Sequence, residues 1–402
     1  MMSDIKILVL DDEYDRACGW RDEILTFMHA DITVLPKKEV SDFITELHRS
    51  RLASRNGAYE YAKGYDQFDL LIVDYDLLGL DEEASAAWST GAEIAYTARL
   101  MSRVGPIVVV NQYGTCNFDL TMKRTLSSYA DYDVGSLQIT SPGFWASSDF
   151  DGFRPWHWPN IVGEVGRIKT FREFIFDKLD LPVIQSLGFE LADAESPRYL
   201  TYDIAGLLGV KSGGTSTFRE IAINSVGLSV FNILDKDRPI VQCMPDEQLA
   251  NVACAIVSHW LERVVLPGQQ CVADMPHLAS RYPWLLSAPQ RPESWSALST
   301  LNSADVLIEN VSNHIAGEAF FYSRPAYWIQ EIDQAFPVPE DFDISQVPDH
   351  VFCEDSSKFH PRSDSSSYPS DLIGFDNERW VVGELQCGGK DVSYEPQAYL
   401  LM

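Results

Sequence analysis

Positive charge is scarce in this 402-residue chain: 31 Lys and Arg stand against 59 Asp and Glu, a formal net charge of −28. A surface that negative repels phosphate backbones and anionic lipid, which argues against nucleic acid and membrane as general partners. No run approaches the ~18 consecutive apolar residues that cross a bilayer. The start, Met1-Met2-Ser3-Asp4-Ile5-Lys6, has neither the basic segment nor the long apolar segment of a secretory signal. Cysteine is sparse as well: seven residues, odd in number, dispersed, with no Cys-x-x-Cys. Together these features predict reduced thiols in a cytoplasmic protein, most of them core fillers. Gly213-Gly214 and Gly388-Gly389-Lys390 lack the spacing of a nucleotide-cradling loop. No internal repeat is visible, and no Ser–His–Asp or Cys–His set has supporting local sequence. Apolar content is ample: 46% hydrophobic and 12% aromatic residues exclude disorder as the dominant state and can fill two or three domains.

The first half reads as alternating strands and helices. Ile5-Lys6-Ile7-Leu8-Val9-Leu10 is a strand covered on both faces, ending abruptly in Asp11-Asp12-Glu13. A helix over 15–29 carries Trp20, Ile24, Leu25 and Met28 on one stripe. Residues 32–35 form a second strand, and 39–53 a second helix. The third strand, 68–73, also stops at acid, Asp74-Tyr75-Asp76. Thr90-Gly91 opens a helix with Ile94, Ala95, Ala98 and Leu100 on its apolar positions. Strand four, 106–110, is closed by Asn111; residues 117–130 read as a helix and 137–139 as a short fifth strand. This order predicts an α/β fold, a doubly wound five-stranded parallel sheet of flavodoxin-like type. Such sheets place the functional crevice outside the carboxyl ends of the strands, where strands one and three deliver their acids. An aromatic, proline-punctuated insertion at 144–159, read as interdomain packing, precedes a long amphipathic helix from Ile161 to Leu179. The expected domains are 1–180 and, after a boundary near Leu181-Pro182 or Ser196-Pro197, 197–402.

Carboxylates converging on a sheet edge need a cation between them. Asp11, Asp12 and Asp74 supply hard oxygen ligands suited to Mg²⁺, and with the metal in place one carboxylate can attack a phosphoryl group to give an aspartyl phosphate. The segments Leu8-Val9-Leu10-Asp11-Asp12-Glu13 and Leu71-Ile72-Val73-Asp74-Tyr75-Asp76-Leu77 resemble the receiver domain of two-component response regulators. The resemblance covers roughly residues 5–180. It implies Asp74 as phospho-acceptor, Asp11 and Asp12 as Mg²⁺ ligands, the backbone carbonyl of Asp76 as a further ligand, and a histidine kinase or other protein as partner. It departs at two positions: Asn111 stands where the family carries Ser or Thr, and Ser141 where it carries Lys. Losing that ammonium removes a charge-assisted hydrogen bond of about 1.5–3 kcal/mol. An atypical receiver, used as a phosphorylation-independent docking module, is therefore expected beside the phospho-switch, and a homodimer is compatible with either.

The remaining ~200 residues read as mixed α+β, an output or interaction domain of unassigned type. Helices are expected at 216–233, 246–265 and 312–333, and a Ser/Pro-rich loop from Ser356 to Ser370. Residues 203–219 resemble the first helix and turn of a helix-turn-helix, with only Lys211 and Arg219 as nearby cations. Cys254 with His259 and Cys271 with His277 are spaced like zinc ligands, but five residues on a helix lie about 140° apart, so the expectation is core thiols and solvated histidines. Asp371 and Glu384 are similar to the acidic pair of metal nuclease cores, with Gln386 where the basic residue belongs. A regulatory protein leads; a DNA-binding regulator and a metal-dependent nuclease are the alternatives.

Overall fold

A computed structural model describes residues 5–80, 90–111, 117–118, 129–145, 150–189, 216–224, 233–300, 304–368 and 379–394. Strands β1 (Ile5–Leu10), β2 (Ala30–Val34), β3 (Leu70–Asp74), β4 (Ile107–Asn111) and β5 (Tyr132–Gly135) form one all-parallel sheet in the order β2-β1-β3-β4-β5. Successive residues of the inner strands go to opposite faces, and both faces are buried. Ile7, Val9, Ile72, Val108 and Val110 pack with Ala17, Trp20 and Ile24 of helix α1 (Tyr14–Ile24). Leu8, Leu10, Leu71, Val73 and Val109 pack beneath helices α2 (Lys37–Arg55) and α3 (Gly91–Met101). Two covered faces explain why these strands read as unbroken apolar runs. Thr90 caps α3 by accepting from the Glu93 amide, as its position before the helix predicts.

The fifth strand is a correction. It lies at Tyr132–Gly135, while Ser136–Ile139 turns as one short helix that carries Ile139 into the core. Asn111 pairs in register with Gly135, so Gly135 and Ser136 reach the carboxyl edge beside β4. Ser141 lies past that helix, buried in the following turn. The expected helix over 117–130 falls almost wholly outside the described residues; Asn117–Phe118 pairs as a short strand with Ser393–Tyr394.

Helix α4 (Ile161–Asp177) fulfils the amphipathic pattern, and its buried Ile168, Phe171 and Ile175 face the second half of the chain. Against it packs α5 (Asp246–Trp260), which continues through a π-turn to Gly268. Among the described residues this helix alone is long and apolar enough to cross a membrane, and 72% of its most apolar stretch is buried inside the protein. It is the core helix of the second half. The hydrophobic core runs without a break from the sheet domain across the expected boundary. Polar side chains of α5 close the seam: Gln248 donates to the carbonyls of Arg99 and Ser102, and Asn251 to that of Ser102, satisfying acceptors at the end of α3.

Farther on, β6 (Val272–Asp274) leads into α6 (Met275–Arg281) and pairs with β7 (Ala326–Trp328), which is followed by α7 (Ile329–Ala335). The expected long helix at 312–333 is thus replaced by a short turn, a strand and a two-turn helix. The expected loop from Ser356 also forms strands: β8 (His350–Cys353), β9 (Lys358–Pro361), β10 (Ser366–Tyr368) and β11 (Arg379–Val381) make a mixed sheet ordered β9-β8-β11-β10. These strands are only three or four residues long, too short to show alternation in the sequence.

The aromatic insertion does pack the halves together. Phe144, Trp145, Phe153, Trp156 and Trp158 are buried, and the Arg154 and Trp156 amides donate to the carbonyls of Asp355 and Glu354. A second tie is ionic. Asp237, fully buried, accepts from Arg51 and Arg55 of α2 and from Tyr96 of α3. Removing one partner of a buried ion pair strands the other charge at about 3–5 kcal/mol. In urea, Asp237→Ala is expected to lower stability by that amount while unfolding remains one cooperative transition by both fluorescence and circular dichroism. Two separated transitions in wild type would contradict the continuous core.

Candidate functional site at the carboxyl edge of the sheet

β1 and β3 are neighbours with Leu10 opposite Val73, so Asp11 and Asp74 emerge side by side where the strands end. Asp11, Asp12 and Asp74 each present an oxygen within 4.8 Å of the others. Asp74 is fully buried and Asp11 nearly so. Two glycines admit the backbone close to this cluster. The Gly79 amide donates to Asp12 Oδ2 at 2.7 Å, and a Cβ on Gly79 would lie 2.2 Å from that oxygen. A Cβ on Gly91 would lie 2.3 Å from the Asp74 carbonyl oxygen. The Asp76 carboxylate accepts from the Leu78 amide at 3.1 Å. Asn111 stands at the same edge, half-buried.

Arg16 fills the cluster. From the first turn of α1 its guanidinium donates Nε to Asp11 Oδ2 at 2.9 Å and one terminal nitrogen to Asp11 Oδ1 at 2.5 Å. That terminal nitrogen also reaches Asp74 Oδ2 at 2.6 Å and Asp12 Oδ1 at 3.4 Å, and the other lies 3.3 Å from Glu13. A guanidinium forked on a carboxylate is the strong form of charge-assisted pairing. Burial opposes the Arg16 charge, but Asp11, Asp74 and Glu13 outweigh it and hold the group more firmly protonated than usual. Burial pushes the Asp11 carboxyl up, and the Arg16 and Glu13 hydrogen bonds only partly offset this. The donor set is the hard-oxygen set Mg²⁺ prefers, so these three carboxylates fit a divalent cation in kind. As they are arranged, Arg16 takes both oxygens of Asp11 and Oδ2 of Asp74, so a cation there would share these carboxylates with it or displace it. Sequence reading found the acids and missed the arginine. Its signal was the position: a cation four and five residues after an acid pair, at the start of a helix, can fold back onto both.

A second cluster lies in the C-terminal half. His277 on α6 is bracketed by carboxylates: Nδ1 is 2.6 Å from Asp274 Oδ1 and Nε2 is 3.1 Å from Glu354 Oε1. Asp274 also caps α6 through the His277 amide and accepts from the Trp156 indole. Arg324 lies over the ring of Trp156. The expectation of solvated histidines therefore fails at His277, while Cys254 and Cys271 are buried core thiols as expected.

The other candidates fall wholly or partly outside the described residues. Residues 190–215, with most of the helix-turn-helix resemblance including Lys211, lie outside the described residues, and Arg219 pairs with Asp180 and Asp246. Asp371 is also outside them, and Glu384 is exposed in the loop that follows β11. Comparison with protein-family models, with curated proteins and with solved structures finds no match to this chain.

Burial alone would push the His277 imidazole down, but the Asp274 charge and the hydrogen bonds to Asp274 and Glu354 raise it from 6.5 to about 9. A base whose folded pKa is raised contributes stability fully below its unfolded pKa and loses it as pH climbs through the folded one. Unfolding free energy should therefore fall by up to about 3 kcal/mol between pH 6.5 and 9. Urea titrations across that range check this, and His277→Ala should lack the fall.

Proposed function

We propose that this chain is a receiver-like regulatory protein whose phosphorylation site is held closed by its own Arg16. In this state the sheet domain serves as a phosphorylation-independent docking and positioning module for the C-terminal half. The observation that carries the reading is the guanidinium seated between Asp11 and Asp74. Strand order and the convergence of three carboxylates at the edge of β1 and β3 support the receiver reading. The arginine supports the phosphorylation-independent form of it.

The chemistry explains why. An aspartate attacks a phosphoryl group only when positive charge neutralises the incoming oxygens and leaves the attacking oxygen accessible. Mg²⁺, where bound, would be held by Asp11, Asp12 and Asp74 with the Asp76 carbonyl, and would supply that neutralisation. Arg16 supplies one positive charge to the same carboxylates but ties down Asp74 Oδ2 itself. A bound guanidinium thus protects the acceptor rather than activating it. Gly135 and Ser136, at the end of β5, bring no ammonium to pair with a phosphoryl group. Partners follow from this: a protein that docks on the acidic surface, with a histidine kinase acting only on a form in which Arg16 has withdrawn.

Incubation with a small phosphodonor and Mg²⁺, read by intact mass, tests the reading. Wild type should gain no phosphoryl group. Arg16→Ala should gain one that Asp74→Ala removes, and should bind Mg²⁺ about tenfold more tightly than wild type as the charge-assisted competitor is lost. Phosphorylation of wild type on Asp74 would overturn the closed-site reading.

A further inference from the structure

Two buried carboxylates flank the two ring nitrogens of His277, and each contact needs an N–H of its own. Nδ1 lies 2.6 Å from Asp274 Oδ1, and Nε2 lies 3.1 Å from Glu354 Oε1. A neutral imidazole carries one N–H and can serve only one of these acceptors, so the arrangement closes only around the imidazolium. Both acids are held ionised. Burial opposes their charge, but the His277 cation lowers Asp274, and Arg379 together with His277 lowers Glu354.

Other charged groups approach from several elements. Arg379 of β11 stands 3.8 Å from Glu354 Oε2, Arg324 ahead of β7 acts on Asp274, and Arg281 follows on α6. His350 of β8 and Arg362 line the cleft beyond Glu354, with Arg362 paired to Asp349. The rings of Trp156 and Phe352 lie against His277, their centroids at 5.3 and 5.1 Å. The contacts of His277 join distant parts of the chain. Glu354 opens the turn between β8 and β9, where Cys353 pairs with Lys358. The Glu354 carbonyl accepts from the Trp156 amide and the Asp355 carbonyl from the Arg154 amide, so this turn holds the aromatic insertion. Asp274 holds the same insertion through the Trp156 indole.

We propose that His277 is a proton-operated latch on this seam: as imidazolium it holds Glu354 against α6, and on losing its Nε2 proton it releases Glu354 to Arg379 and loosens the aromatic insertion. Nε2 is the nitrogen that gives up its proton to water or hydroxide, because the Nδ1 contact is the shorter one and Asp274 is also fixed as the cap of α6. The bare Nε2 lone pair then faces a carboxylate at contact distance, and the two repel. Arg379 offers that carboxylate a second seat, and two seats for one side chain make the bistable element that a switch requires. With the imidazole held protonated up to about 9, the latch is closed at neutral pH and opens in alkali. It lies apart from the Arg16 cluster and does not depend on the reading given there.

Nitrogen-15 NMR of the histidine rings in the full chain is the test, with His277 identified by its ring contact with Trp156. Exchange of the Arg154 and Trp156 amides, corrected for the intrinsic base-catalysed rate, is read in parallel. At about pH 7 His277 should carry both protons; at about pH 10.5 it should keep only the one on Nδ1, with the two amides exchanging about tenfold faster or more. In Glu354→Gln the carboxamide can accept from the imidazolium or donate to the neutral ring. His277 should then still titrate while the two amides keep their neutral-pH protection throughout. The proposal is overturned if neutral His277 retains its proton on Nε2, or if the wild-type amides are equally protected at both pH values. The full wild-type loss of protection in folded Glu354→Gln overturns it as well.

Discussion

Carboxylates delivered to one sheet edge by two strands repel one another, and the sheet cannot close around them unless a positive charge enters between. In this protein the charge belongs to Arg16. Its guanidinium spans Asp11 and Asp74 from the first turn of α1, so the same contact neutralises the edge, orients the helix against β1 and occupies the crevice. Mobile cations can come and go at such an edge; a covalently tethered one leaves only when the helix terminus or the side chain moves. The crevice is therefore biased toward one state by the chain's own chemistry, and any switch must work by displacing the arginine.

The rest of the architecture joins the two halves by direct contacts. The sheet domain is tied directly to the second half: its α3 is capped by Gln248 and Asn251, and its α2 is pinned by Asp237. Trp156 ties the aromatic insertion to Asp274 and, through its backbone, to Glu354. Those residues also hold His277. Packed contacts therefore connect the sheet domain to the Asp274–His277–Glu354 cluster of the C-terminal half.

Legibility of the sequence followed burial. β1, β3 and β4 are covered on both faces, so their apolar runs announce them, and the acids that end them mark the crevice. β5 alternates, with Asp133 half-buried, and the Leu137-Gln138-Ile139 segment after it belongs to a helical turn whose Ile139 enters the core. In the second half, the described strands are two to four residues long and carry too few positions to show a period. The candidate site was legible in its carboxylates, which lie in two motifs, but not in Arg16, whose role depends on how α1 leaves the sheet. Asp274 and His277 are three residues apart and visible as a pair; Glu354 joins them only through tertiary packing.

The central claim concerns which cation holds the carboxylates together, and a crystal structure of the full chain grown in millimolar Mn²⁺ addresses it directly through anomalous scattering. The account predicts guanidinium density between Asp11 and Asp74 and no anomalous peak there. A manganese peak shared by those two carboxylates, with the Arg16 side chain swung into solvent, would contradict it.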